Sequence, residues 1–342
     1  MPSSRLHSLA EGRANLTGER HEQALMALRR LGRRASPIPD AESTDQASLE
    51  ARFLERLGRS RHHQYWSPKV PFMVTSVTPE PEKLTIRVPE EYLPDVIRDV
   101  FPHWVVEHGV PESDVLGIAG LRYRHDRGRV ILARLGRPGR VCIPVKAGMW
   151  EKACRVAVDS LGDACQFRIP WRTSPMEQDP DENQTWHPAD EVARGNNHFL
   201  SQILRRLPGL CPSARAEWHD LWINWYGDQC IINLEWMNGT SHAEVLQLLL
   251  DPRFSPRAKI DPDRSTGKTI EGCYSLSEGR VTVLSELQPT AAIALRRMRY
   301  EDWTNDDIDL MRNQGVGLRA DRAAMEAKHS YRVHRPHSLQ AK

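Results

Sequence analysis

Leu121-Arg122-Tyr123-Arg124-His125-Asp126-Arg127-Gly128-Arg129-Val130-Ile131-Leu132-Ala133-Arg134-Leu135 is the stretch on which the reading of the fold turns. Its first four residues and its last seven favour extended chain, and His125-Asp126-Arg127-Gly128 between them is turn chemistry. The spacing predicts a hairpin, with Arg122 and Arg124 alternating against Leu121 and Tyr123 so that both arginines leave the same face. A third strand, Val141 to Val145, follows the Gly136-Arg137-Pro138-Gly139 turn.

Upstream, Leu84-Thr85-Ile86-Arg87-Val88 alternates as a strand, and Tyr92, Leu93, Val96, Ile97, Val100 and Phe101 recur at helical spacing until Pro102. Downstream, Met149, Trp150, Ala153, Val156 and Ala157 share one face of a helix over 147–161, and Cys165 to Ile169 reads as a strand. The order predicts an α+β domain over 71–172, a ferredoxin-like βαββ(β)αβ unit with one added strand. Residues 173–191 contain six acids, three prolines and no Lys or Arg, the composition of an acidic linker. Beyond it, 192–317 reads as a second α+β domain of order αββαββα. Its parts are a helix through Phe199 and Leu207, a hairpin turning at Gly227-Asp228, and a helix through Val245 and Leu249. A hairpin turning at Ser277-Glu278-Gly279 and a helix from Thr290 to Arg299 complete it. Residues 318–342 form a basic tail.

Residues 1–70 read as an extended arm with two short amphipathic helices. Ala24, Leu25, Leu28 and Leu31 line one, with Thr17 as its cap and Gly32 as its stop. Leu49, Phe53, Leu54 and Leu57 line the other, with Ser43 and Gln46 at capping-box spacing. Such narrow stripes need a surface to pack on, either the body of the chain or a partner. Leu25, Leu28, Leu31, Phe53 and Leu57 are the candidate partner-binding residues. Leu16-Thr17-Gly18-Glu19, with Ala24-Leu25 and Leu28-Arg29 after it, resembles a leader of uncharacterised actinobacterial proteins, some from mobile elements. That resemblance implies a bacterial cytoplasmic origin and assigns no site residue.

Composition narrows the function classes. The chain has 342 residues, 39% hydrophobic and 27% charged, with a formal net charge of +2. That total argues for no polyanionic partner, so any such case rests on where charge is placed. No apolar run is long enough to span a membrane, and the polar start predicts no secretory signal, hence a cytoplasmic protein with no membrane partner. The six cysteines form no C-x-x-C pair and read as reduced, buried thiols.

Catalytic motifs are incomplete. Arg264-Ser265-Thr266-Gly267-Lys268-Thr269 ends like a phosphate-binding loop, but Pro262 stands where the first glycine is required. Asp263 and Glu271 have the order of a nuclease acid pair, with Cys273 in place of the water-activating lysine. Val115 to Gly120 has the texture of a LAGLIDADG segment without its acid. His62-His63 beside Tyr65 and Trp66 reads as a junction, and His219, Asp220 and Glu235 read either as surface groups or as an acid–base set. Trp218, Trp222, Trp225 and Trp236 crowd one hairpin, as a core or as a stacking platform. No cofactor is expected.

One feature is concentrated. Between Leu121 and Lys146 stand Arg122, Arg124, Arg127, Arg129, Arg134, Arg137, Arg140 and Lys146 against the single acid Asp126. Two readings follow. The first is a non-enzymatic protein holding DNA or RNA phosphates on this hairpin. The second is a protein-interaction or assembly component, homo-oligomeric or with a protein partner, whose N-terminal arm docks on that partner, the basic hairpin then pairing with acids such as those of 173–191 or Glu301-Asp302 to Asp309.

Overall fold

The computed structural model describes residues 3–32, 35–58, 70–107, 110–160, 165–167, 189–211, 218–226, 229–237, 240–266 and 280–298. It is an α+β protein with two five-stranded sheets, a three-stranded sheet and, among the described residues, eight α-helices.

The first sheet is built around the hairpin of β5 (Leu121–Asp126) and β6 (Arg129–Arg134). Asp126 pairs with Arg129, leaving a two-residue loop in which Arg127 and Gly128 have φ of 44° and 81°. Positive φ at both positions is the twist-matched hairpin turn that aspartate and glycine favour. β7 (Val141–Ile143) joins β6 antiparallel, then β2 (Lys83–Arg87) joins β7 in parallel, and β1 (Ser76–Glu80) closes the order β1-β2-β7-β6-β5. Helices α4 (Leu93–Val100) and α5 (Ala147–Asp159) contribute Leu93, Val96, Ile97, Trp150 and Ala153 to a core shared with Leu84, Ile86, Tyr123, Val130 and Leu132. Each strand therefore buries alternate residues beneath these helices. Val156, expected on the buried face of α5, is 45% exposed.

The strand order departs from the ferredoxin-like unit. β8 (Cys165–Phe167) does not return to this sheet. It pairs with β3 (His103–Glu107), which also pairs with β4 (Val110–Leu116), in the separate three-stranded sheet. β1, β3 and β4 carry little apolar alternation, so register rather than pattern recruits them.

The second sheet has the order β11-β12-β13-β10-β9. The predicted pairing of β9 (Trp218–Tyr226) with β10 (Gln229–Met237) is present. β11 (Ala258–Thr266), a segment not anticipated as a strand, pairs with β12 (Arg280–Ser285), and the turn expected at Ser277-Glu278-Gly279 lies outside the described residues. The segment predicted as a helix from Thr290 is instead strand β13 (Ala291–Met298), parallel to β10 and antiparallel to β12. Ala291, Ala292, Ile293, Ala294 and Leu295 are all buried, so both faces of this central strand are covered. Burial between neighbours on either side overrides the helix propensity of alanine.

The N-terminal region is not a free arm. It contains a helix not anticipated from sequence, α1 (Ser3–Thr17), followed by α2 (His21–Leu31) and α3 (Thr44–Gly58). Thr17 does not cap α2, whose N-cap is Arg20. Its hydroxyl donates to the Arg13 carbonyl at 2.8 Å, at the end of α1. Ser43 does accept from the Gln46 backbone N–H at 3.1 Å. α3 packs on α6 (Ala189–Leu204) and on β9, and its Phe53, Leu54 and Leu57 belong to the same core cluster as both five-stranded sheets.

Three buried arginines fasten this region. The Arg13 guanidinium meets Glu19 at 2.6 Å with both side chains shielded from solvent, and donates to the carbonyls of Pro37 and Pro79. Arg205 binds Glu50 through two parallel hydrogen bonds of 2.7 and 2.6 Å and reaches the Pro39 carbonyl at 2.6 Å. Arg206 donates to the Phe254 carbonyl at 2.7 Å. Between the two proline carbonyls Ile38 is fully buried beside Leu16 and Phe254. A segment with linker composition is thus fixed by cations that saturate its backbone acceptors.

Leu16-Thr17-Gly18-Glu19 gains a structural meaning here. Gly18 has φ of 70°, and a Cβ there would collide with the Thr75 carbonyl oxygen. Gly18→Ala is expected to cost more than about 1 kcal/mol, because strain and overlap add. Gly128→Ala, also left-handed but with open space around the methyl, should cost less. Urea midpoints of the two variants measure this. Equal losses would remove the close approach as the reason for glycine.

Residues 168–188, which include most of the predicted acidic linker, and residues 299–342 lie outside the described residues, as do His62, His63, Tyr65 and Trp66. No helix of the described residues is long and apolar enough to cross a membrane.

Candidate nucleic-acid interface

Because α4 and α5 take the inward residues of the first sheet, the outward residues form a separate face. The register sets Arg124 beside Ile131, Ile131 beside Cys142, Cys142 beside Thr85 and Thr85 beside Thr78. On one side of this middle row Arg122 pairs with Ala133, and continuing the register brings Arg140 next to Lys83, which pairs with Glu80. On the other side lie Asp126 with Arg129, and Arg87 with Ser76. Six cations thus surround an uncharged centre. Ile131 and Cys142 at that centre are 6% and 1% exposed and form its floor.

Two carboxylates share the face, and each has a partner of its own. Asp126 accepts from Arg129 at 2.6 Å, a hydrogen bond that holds its carboxyl below the usual range. Glu80 lies 2.9 Å from Lys83. Arg87 and Arg124 are exposed, and neither forms an ion pair among the described residues. Burial raises the Cys142 thiol, so the centre of the face adds no negative charge at neutral pH.

The structure divides the eight basic residues singled out in the sequence. Arg122, Arg124, Arg129 and Arg140 belong to the face, and Arg127 extends it at the hairpin tip. Arg134 does not. Its register places it with the inward residues, it donates to the Ala119 carbonyl at 3.2 Å, and burial lowers its pKa. Arg137 leaves the sheet and pairs with Asp45 of α3 at 3.4 Å. Lys146 is the exposed N-cap of α5. Lys83 and Arg87 escaped the sequence reading because the parallel pairing of β2 with β7 brings them in from a distant segment.

Tyr123 anchors the hairpin from behind. Its ring contacts Trp150 and Phe101 at 5.6 and 6.0 Å, and its hydroxyl donates to Glu151 at 3.1 Å. His125 reaches the same carboxylate at 2.9 Å. These contacts fix β5 on α5 and leave the arginine face outward.

The other candidate groups do not converge on a chemical site. Asp220 and Glu235 are direct cross-strand neighbours, but His219 and Trp236 occupy the opposite face of the same strands. Glu235 accepts from Arg296 at 2.9 Å, and burial raises its pKa. His219 is buried edge-on to Phe72, its Nδ1 without a hydrogen-bond partner. Trp222 and Trp236 likewise face opposite ways, so the tryptophans do not form one platform. Ser265, in the sequence resembling a phosphate-binding loop, lies in β11 and donates to the Asp261 carbonyl at 2.6 Å, and 267–279 lie outside the described residues. Val115 to Gly120 runs from the end of β4 into a turn at Gly117, with φ of 86°. No group of three or more potential metal ligands occurs among the described residues.

Desolvation holds the His219 imidazole down to about 3. Its neutral form therefore contributes stability that is complete above about pH 6.5, the exposed value, and falls away as pH drops toward the folded value. His219→Phe should remove a slope of up to about 1.4 kcal/mol per pH unit across that window. Denaturant titrations at several pH values check it, and identical pH dependence in both proteins would contradict it.

The proposed partner-binding residues are also divided. Phe53 and Leu57 are 1% and 2% exposed and pack within the chain, and Leu28 is buried against α1. Leu25 and Leu31 are half-buried, and Met26 beside them is 48% exposed. The stripe that seemed to need a partner finds most of its surface inside the molecule.

No protein-family model, curated protein or solved structure matches this chain. The outward face of the first sheet therefore has to be interpreted on its own chemistry.

Proposed function

We propose that this protein is a non-enzymatic nucleic-acid-binding protein that holds phosphates on the outward face of the β1-β2-β7-β6-β5 sheet. One observation supports the reading: six cations, from three strands and the residue before β7, lie on the outward face, where the carboxylates among the described residues are Asp126 and Glu80. Arginine supplies most of that charge, and its planar fork suits phosphate oxygens. Neutralising phosphates releases counterions, which gives affinity without sequence preference. The near-neutral total does not oppose this, because charges more than a Debye length away, about 8 Å at physiological salt, are largely screened from the face.

An assembly role based on the N-terminal helices has less support, since Phe53, Leu57 and Leu28 are already packed inside the chain. The test is a binding titration with Arg122→Glu combined with Arg124→Glu. Arg124 is exposed and Arg122 half-buried on the same face, so circular dichroism on the variant separates lost binding from lost folding. Unchanged affinity in the folded variant would rule out this face.

A further inference from the structure

We infer that the face takes a two-stranded nucleic acid, one phosphate backbone on each side of the Ile131–Cys142 floor. The inference rests on the phosphate-binding reading and adds the class of polyanion.

The cations do not form a single track. Arg122, Arg124 and Arg129 occupy β5 and β6, while Arg140, Lys83 and Arg87 occupy the end of the loop before β7 and strand β2. The outer columns, β5 and β2, are three strand spacings apart, about 14 Å. Within β5, Arg122 and Arg124 are separated by about 7 Å, the rise of two residues. A single strand laid along either column would leave the other three cations unused. Two backbones use both groups, with the groove between them over Ala133, Ile131, Cys142 and Thr85.

Among the described residues, the face also lacks what a single strand requires. Sequence-tolerant binding of unpaired bases draws about 1–3 kcal/mol per base from stacking on aromatic rings. None of the outward positions of β1, β2, β5, β6 or β7 is Phe, Tyr or Trp. Tyr123, the aromatic residue of β5, lies on the other face and is 7% exposed. A ligand whose bases stay stacked on one another loses nothing on such a surface. The sheet presents side chains from strands rather than a helix or loop inserted into a groove, so contact is with backbones and DNA or RNA duplexes share the required chemistry.

Fluorescence anisotropy with the full chain at about 50 mM salt tests this, using a DNA duplex, an RNA duplex and the separated strands of each. At least one duplex should bind about tenfold or more tighter than its separated strands, and the two duplex arms identify which helical form is preferred. Lys83→Glu with Arg87→Glu should weaken duplex binding about as strongly as Arg122→Glu with Arg124→Glu, each variant being checked by circular dichroism. Single strands binding as tightly as both duplexes, or a Lys83/Arg87 variant with unchanged duplex affinity, would overturn the two-backbone inference and leave the phosphate reading standing. Failure of all four probes to bind would overturn both.

Discussion

Glu50→Ala should destabilise the protein by about 3–5 kcal/mol, because it strands the Arg205 guanidinium in a site with no solvent access. The Glu50 carboxylate accepts from Arg205 twice, from Ser201 at 2.6 Å and from Gln46 at 2.6 Å. Removing it leaves a cation and two neutral donors without their acceptor, each a desolvated group. The pair sits where α3 packs on α6, so the damage falls on the contact that holds the N-terminal region to the body. The melting temperature should fall by roughly 10 °C. Glu50→Leu combined with Arg205→Met should recover much of the loss, because replacing both ions removes the unpaired charge. A single variant as stable as the wild type would show that α3 does not depend on this pair.

Charge reversal at Arg122 and Arg124 should abolish binding at moderate salt, the larger of the two effects in practical terms. Among the described residues, six cations share the face with two carboxylates, a formal excess of four positive charges. Converting two arginines to glutamate takes that excess to zero. With four phosphates neutralised, the logarithm of the binding constant should fall against the logarithm of salt with a slope of about −3.6 for a duplex. Raising salt from about 50 to about 200 mM then costs the wild type about a hundredfold in affinity. Lys146, exposed but at the start of α5, should matter much less. Arg134, half-turned from solvent and bonded to Ala119, should act on stability rather than binding.

The hairpin at 121–134 was legible because everything that defines it is local: alternation, a turn carrying aspartate and glycine, and strands joined in sequence. The amphipathic helices and the β9–β10 pairing were legible for the same reason. Long-range pairing was not. Nothing in Lys83-Leu84-Thr85-Ile86-Arg87 announces a parallel partner at Val141, yet that pairing puts Lys83 and Arg87 on the candidate face. β13 was misread because its alanines favour a helix until neighbouring strands and packed layers surround them. The burial of α3 was hidden by its polar residues. Gln46, Glu50 and Glu55 look like a solvated side, and only the Arg205 and Ser201 side chains of α6 and the segment after it make Glu50 an interior group. Of the candidate site, the sequence showed its density of charge. Which arginines face outward required the register.

The most direct test of the central claim is the salt dependence of duplex binding by the full chain, measured by anisotropy across about 50 to 200 mM salt. A double-logarithmic slope near −3.6 for the wild type, lost along with binding in the folded Arg122→Glu, Arg124→Glu protein, is the predicted result. No binding at the lowest salt, or binding indifferent to salt and to both substitutions, would contradict it.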